Sequence, residues 1–403
     1  MNHIERFKAV CAGEKPDYVP IFGLPGAPGM SGGCMAKTHQ RLVDTGMPDW
    51  VDGCGRLGKP ATLDSWQRYW GTTGPVRANF FPGESGKGIK TTKRIEDGME
   101  LIESETGSIT RQVIDNDVTY SMPHYEVYDV RDRESWEFYR NRTTPGKPWS
   151  AERLEEECRK HDDRDKPLSV SVGGIWGGVR SMMGPEAACT VLYDDPEMVH
   201  EMIDRRLECF DKYLIPKIER LKPEILRAGE DCCYNNGMLI SPAHFEEFCA
   251  PFYRRVGEVA KAVGASIVAV DTDGDATELV PLLEACGVNA IYPFEVKAGN
   301  DLFALREAHP EFVMFGWLEK EVVNEGNEGL IADEILSKVP PLLEKGRYFP
   351  NGDHGIQPLV TFENMCRFMT LLHEVTGNPE GEFPRVDPRE PAAPAESKAG
   401  GRV

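Results

Sequence analysis

The sequence predicts an α/β fold built on a parallel sheet, and three observations predict it. From Pro167 onward, short apolar runs rich in β-branched residues alternate with longer amphipathic stretches, the pattern of repeated βαβ units. The order helix, glycine, strand recurs at Gly264, Gly287 and Gly346, and Gly377 stops a fourth helix. The apolar runs close on Gly, Asp, Glu or Pro, residues that suit the loops at strand ends.

Taken in order, residues 4–12 read as an amphipathic helix and 19–22 as a first strand. Residues 109–113 and 119–121 read as a hairpin around Asp115-Asn116-Asp117, and much of 25–160 as an insertion packed around the sheet. The regular strands are expected at 168–172, 224–228, 266–270, 288–292, 312–315 and 347–349. Between them, Ser241 with Pro242 and the acidic pair Glu246 and Glu247 starts a helix expected to run to about Val263. Further helices are expected over 277–286, 301–309, 332–345 and 361–375. The Pro/Ala/Gly-rich segment 378–403 lacks the apolar content to bury a core and reads as a disordered tail, leaving 1–377 as a single domain.

No apolar run approaches the roughly 20 residues of a membrane helix, and no apolar signal core follows the first charged residues. A formal charge of −20 repels phosphate backbones and anionic membranes, which argues against nucleic-acid and membrane partners. Eleven cysteines, an odd number without a C-x-x-C pair, fit a reduced cytoplasmic protein, and the adjacent Cys232 and Cys233 read as buried thiols.

Chemistry concentrates at the strand ends, the face on which parallel α/β enzymes build their sites. In Val270-Asp271-Thr272-Asp273-Gly274-Asp275, alternation puts Asp271 and Asp273 on one side of an extended chain, where mutual repulsion favours a cation; Asp275 reads as a turn residue. Glu295 leaves the next strand toward the same face, and His354 sits in Asn351-Gly352-Asp353-His354-Gly355 between the last strand and the last helix. Glu230 and Asp231 add an acidic pair that could bind substrate, act as acid/base or hold a nearby arginine such as Arg227.

Two stretches carry a resemblance: Glu5-Arg6-Phe7-Lys8-Ala9 followed by Gly13-Glu14-Lys15-Pro16-Asp17-Tyr18-Val19-Pro20-Ile21, and Pro350-Asn351-Gly352-Asp353-His354-Gly355 with Glu363-Asn364. They resemble the uroporphyrinogen decarboxylase superfamily, on the side of its corrinoid-dependent methyltransferases. The resemblance implies a (β/α)8 TIM barrel with an N-terminal insertion of hairpin and loops, often a homodimer. The decarboxylases carry Arg-Gln-Ala-Gly-Arg soon after the first strand to meet the carboxylates of their substrate; here Phe22-Gly23-Leu24-Pro25-Gly26-Ala27-Pro28-Gly29 stands in its place. The methyltransferases hold zinc with a His-x-Cys pair, sometimes a Glu on the next strand, and a late Cys. Asp271, Asp273, Glu295 and His354 fall at the matching places.

The resemblance thus implies a zinc site of changed ligand type, Asp271, Asp273, Glu295 and His354, harder than a thiolate site and suited to polarising oxygen. The expected activity is methyl transfer from a small O-methyl donor to a corrinoid carried by a partner protein. Glu230 or Asp231 would deliver the proton, and Trp176 with Tyr234 would line the pocket. The alternatives are a decarboxylase of a tetrapyrrole or other carboxylate, using Asp273 or Asp231, and a non-catalytic corrinoid- or tetrapyrrole-binding protein.

Overall fold

The computed structural model of the 403-residue chain describes residues 1–24, 33–53, 63–78, 90–113, 124–143 and 149–389. Seven parallel strands lie side by side in chain order: β1 (Val76–Ala78), β2 (Leu168–Ser171), β3 (Ile225–Gly229), β4 (Ile267–Asp271), β5 (Ala290–Phe294), β6 (Val313–Leu318) and β7 (Tyr348–Gly352). All six regular strands expected after Pro167 are present, with bounds moved by up to three residues. The expected first strand, 19–22, is reduced to a single parallel bridge between Phe22 and Thr73. Thr73 N–H donates to Ile21 C=O and Gly23 N–H to Thr73 C=O, which sets this segment beside the entry to β1 in the eighth position of the curled sheet.

Alternation along the strands separates two cores. Ile225, Ile267, Ala269, Ala290, Tyr292, Val313, Phe315 and Phe349 face inward and pack with Phe22. Helix His3–Ala12 lies against one end of this interior through Phe7 and Val10, and the ring of Phe7 is 4.9 Å from that of Phe22 and 5.4 Å from that of Phe349. Phe22 lies 5.6 Å from Phe349, so the two edges of the sheet meet through aromatic rings. The opposite faces of the strands, including Val170, Leu226, Val268, Ile291 and Met314, pack against the outer helices. This is the TIM-barrel arrangement with an N-terminal insertion.

The helices start and stop where their caps require. Asn2 makes a capping box with Glu5, and Gly13, Gly264 and Gly377 end their helices in the left-handed region. The Ser241-capped helix does reach Val263, but it is continuous α only from Ala250; residues Phe245–Cys249 form a π segment. Pro251 explains it, since it has no N–H to return to the preceding turn. The other π segment, Phe210–Leu214, likewise lies just before a proline, Pro216.

The insertion contains a four-stranded antiparallel sheet, Thr91–Glu96, Met99–Ser104, Ile109–Val113 and His124–Val127. Ile109–Val113 is a strand as expected, paired with Met99–Ser104 and His124–Val127; its proposed partner 119–121 and the Asp115-Asn116-Asp117 turn lie outside the described residues. The first hairpin of this sheet was announced by Asp97-Gly98, both at positive φ, and escaped the sequence reading.

The expected tail needs correction. Residues 378–389 pack onto the body: Phe383 is buried with its ring 5.3 Å from Trp70, and buried His373 reaches Asn378 C=O and Trp70 C=O at 3.1 and 2.9 Å. One large aromatic with a buried partner outweighs the Pro-rich composition around it. Residues 390–403 lie outside the described set. Among the described residues no helix is long and apolar enough to cross a membrane.

Candidate metal and substrate site at the barrel mouth

The C-terminal ends of β4, β5 and β7 bring three side chains to one point. Asp273, Glu295 and His354 each offer a ligand atom, all within 4.8 Å of one another, and all three are half-buried. They come from three separate loops, so the convergence is a product of the barrel rather than of local spacing.

Those loops are tied together by polar side chains. Gly274, at φ +86°, donates its N–H to Glu295 Oε2 at 2.8 Å; a Cβ there would lie 2.5 Å from the Tyr234 nitrogen, so only glycine fits. Buried Asn300 donates to Gly274 C=O and Glu295 C=O and accepts from Ala276 N–H, clamping the loops after β4 and β5. Asp353, 1 % exposed, accepts from Val296 N–H at 3.0 Å and Lys320 N–H at 3.1 Å, joining the loops after β5, β6 and β7. Burial pushes its pKa up to about 6. Sequence reasoning missed both Asn300 and Asp353; for Asp353 the signal was its place beside His354.

His354 Nε2 lies 3.6 Å from Asp273 Oδ1, while its Nδ1 accepts from Gly355 N–H at 2.8 Å. The contact with His354 lowers the pKa of Asp273 against the opposing effect of burial, and Asp273 in turn raises that of His354. The donor set fits a divalent cation such as zinc. Tetrahedral bonds of about 2.0–2.2 Å need donors roughly 3.4 Å apart, a small inward turn from this arrangement. Through Nε2, cation uptake would displace the proton that this tautomer holds there.

Asp271 is not in that group. It ends β4 facing the barrel interior, and its pKa is pushed up to about 7, first by burial and then by repulsion from Asp231. The sequence placed it with Asp273 by alternation, but the chain leaves the extended strand at Asp271 and turns through Gly274.

Glu230 is also relocated. It is 2 % exposed and accepts from Ile175 N–H at 2.7 Å, Gly177 N–H at 2.6 Å and the Tyr253 hydroxyl, so it caps helix Trp176–Met183 instead of facing a substrate. Asp231 turns the other way, in the left-handed region at φ +47°, and pairs with Arg180. Trp176 is a core residue, 2 % exposed, rather than a pocket wall. Tyr234 is 48 % exposed on the two-stranded ribbon Cys233–Tyr234 and Gly237–Met238, and its backbone packs on Gly274 at the rim of the site. Cys232 and Cys233 are buried free thiols whose pKa burial raises.

No curated protein matches the chain. Among solved structures it is similar to a methyltransferase from Methanosarcina mazei, at 14 % sequence identity and a TM-score of 0.52, over 93 % of this chain and 99 % of that one; at such identity the likeness concerns the fold. Residues 144–375, more than half of the chain and including every strand from β2 to β7 and the whole Asp273, Glu295 and His354 group, match the family described as uroporphyrinogen decarboxylase (URO-D). With the TIM-barrel arrangement already in place, that match decides the lineage: the chain belongs to the uroporphyrinogen decarboxylase family.

Proposed function

We propose that this protein transfers a methyl group from a small oxygen-linked donor to a corrinoid carried by a partner protein, with Asp273, Glu295 and His354 holding a zinc ion. The observation that carries this reading is the convergence of two carboxylates and one imidazole, from three loops, at the end of the barrel where this fold builds its active sites. The structurally similar Methanosarcina protein is a methyltransferase by name, which is in keeping with it.

When bound, zinc at such a hard donor set supplies Lewis acidity at oxygen. The chain's own residues do the rest. Asn300 and Asp353 hold the three ligand loops in register. The Gly274 N–H orients the Glu295 carboxylate from one side and leaves its second oxygen for the cation. Asp231, a carboxylate paired with Arg180 at the mouth, takes the place of the buried Glu230: it can order a water that gives its proton to the departing alkoxide or phenoxide.

The test is metal content followed by turnover. Protein purified without chelator should contain about one zinc per chain, and should demethylate an aryl or alkyl methyl ether only when a corrinoid protein is present. Turnover with no stoichiometric metal would remove the zinc reading. The second reading, decarboxylation of a tetrapyrrole, draws on the family match alone and would be supported by carbon dioxide release from uroporphyrinogen.

A further inference from the structure

Below the Asp273, Glu295 and His354 group, the inward-facing positions of β1 and β3 are arginines. Arg227 follows Ile225 by two residues, and Ile225 belongs to the barrel interior, so Arg227 points into the barrel one layer closer to the mouth. It donates from Nη1 to the Tyr292 hydroxyl at 3.2 Å, on β5. Arg77 lies between Val76 and Ala78, both of which pack on the outer core, so it too faces inward. It is level with Ser169 of β2, and Ser171 is level with Arg227. The electrostatic partners of Arg77 are Arg227 and Tyr292, two residues on other strands that it meets through the barrel.

Two guanidinium groups two residues apart in register therefore come to one height in the interior, because the tilt of the strands staggers neighbours around a barrel. Desolvation by the surrounding walls lowers the pKa of Arg77, and the neighbouring Arg227 lowers it further. By surface area Arg77 is exposed, so its guanidinium stands in open space and not in the packed aromatic floor. Among the described residues no carboxylate forms an ion pair with it. Asp271 is the carboxylate of this layer, interacting with Arg227 and Tyr292. Asp231 and Asp273, which also act on Asp271, have partners of their own in Arg180 and His354, so among the described residues Arg77 is the cation of this layer left without a carboxylate, in a protein whose net charge is −20. A guanidinium without a carboxylate, set beside a second one in a concave, partly desolvated space, is a site for a counter-ion.

We infer that Arg77 and Arg227 form a receptor for a substrate carboxylate, so that the donor is a small carboxylic acid whose reacting group points up toward Asp273, Glu295 and His354. A planar guanidinium offers a carboxylate two parallel N–H bonds, which fixes direction as well as position. One surplus positive charge matches a monoacid; a tetrapyrrole bearing many carboxylates would need more cations than this layer supplies. The inference rests on the reading of the strand-end face as the active site, and not on which group is transferred there.

Its test is binding without turnover. Acetate, benzoate and 3-methoxybenzoate are titrated calorimetrically into the protein, each against its uncharged amide, in wild type, Arg77→Met, Arg77→Lys and Arg227→Lys, with circular dichroism confirming the fold of each. At least one acid should bind about tenfold or more tighter than its amide, the size of effect one charge-assisted bidentate contact gives. Arg77→Met should abolish that preference, Arg77→Lys should restore part of it, and Arg227→Lys should reduce it. Equal affinity for acids and amides, no binding of any acid, or an acid preference that survives in folded Arg77→Met would overturn the inference. Because the readout is affinity alone, it stands or falls separately from zinc content and methyl transfer.

Discussion

The imidazole Nε2 of His354 lies 3.6 Å from Oδ1 of Asp273, across two loops that leave strands on different sides of the barrel mouth. Each group favours the charged form of the other, raising the pKa of the histidine and lowering that of the aspartate. A cation at this point competes with the proton for the same nitrogen. Zinc affinity, measured by competition with a chromophoric chelator, should fall as the pH drops through the raised pKa of His354, and His354→Ala should bind zinc roughly 100-fold more weakly. A pH-independent affinity would show that His354 is not a ligand.

Gly274 offers a subtler handle on the same site. Gly274→Ala places a methyl against the Tyr234 backbone at a positive φ, which costs about 1–3 kcal/mol. The Gly274 N–H that orients Glu295 must move with it. Thermal melts should show a modest loss of stability, while zinc affinity drops more than in a control substitution at exposed, unconstrained Gly329.

Glu230 should behave as a structural residue. Glu230→Ala leaves two backbone N–H groups and the Tyr253 hydroxyl without their acceptor and should cost about 2–4 kcal/mol by chemical denaturation. Glu230→Gln keeps one acceptor oxygen and should cost less. The pH–rate profile of the folded fraction should be unchanged in the glutamine variant; loss of a limb of that profile would return Glu230 to the catalytic group.

Phe383 anchors the segment read from sequence as a tail. Phe383→Ala removes a buried ring from Trp70 and His373 and should destabilise by about 3–5 kcal/mol, whereas ending the chain after Arg389 should leave the melting temperature within a degree or two. Equal melting temperatures for wild type and Phe383→Ala would show that the packing contributes nothing.

His373, in the same contact, makes stability depend on pH. Burial lowers its pKa to about 4, while in an unfolded chain the ring protonates near about 6.5. Between those values the unfolded chain binds the extra proton. Stability should therefore fall as the pH drops from about 6.5 to about 4 and level off below, by at most about 3 kcal/mol from this group. His373→Gln, which does not titrate, should lose that part of the slope in denaturant melts taken across the range.

The parallel strands were legible because a strand buried on both faces must be apolar along its length, and 225–229, 267–271 and 313–318 are so apart from their functional residues. Asp273, Glu295 and His354 were legible as a group because all three leave strands at the same end of the barrel, although each alone has an ordinary structural reading. Asp271 and Glu230 were misplaced for one reason: each ends or follows a strand, and a single residue of turn decides between mouth and interior. The sequence shows the carboxylate but not the φ of its neighbour, such as the left-handed Asp231. Arg77 was hidden because its strand is three residues long, too short for alternation to register.

The aromatic floor formed by Phe7, Phe22, Phe315 and Phe349 has a kinetic corollary. A chamber stoppered at one end has a single door, and whatever seats itself across that door determines who enters next. For the proposed reaction, the small donor would have to enter before a corrinoid protein docks at the mouth and its product leave after that protein departs, so initial-rate patterns for the pair should be ordered, with the small molecule first and last.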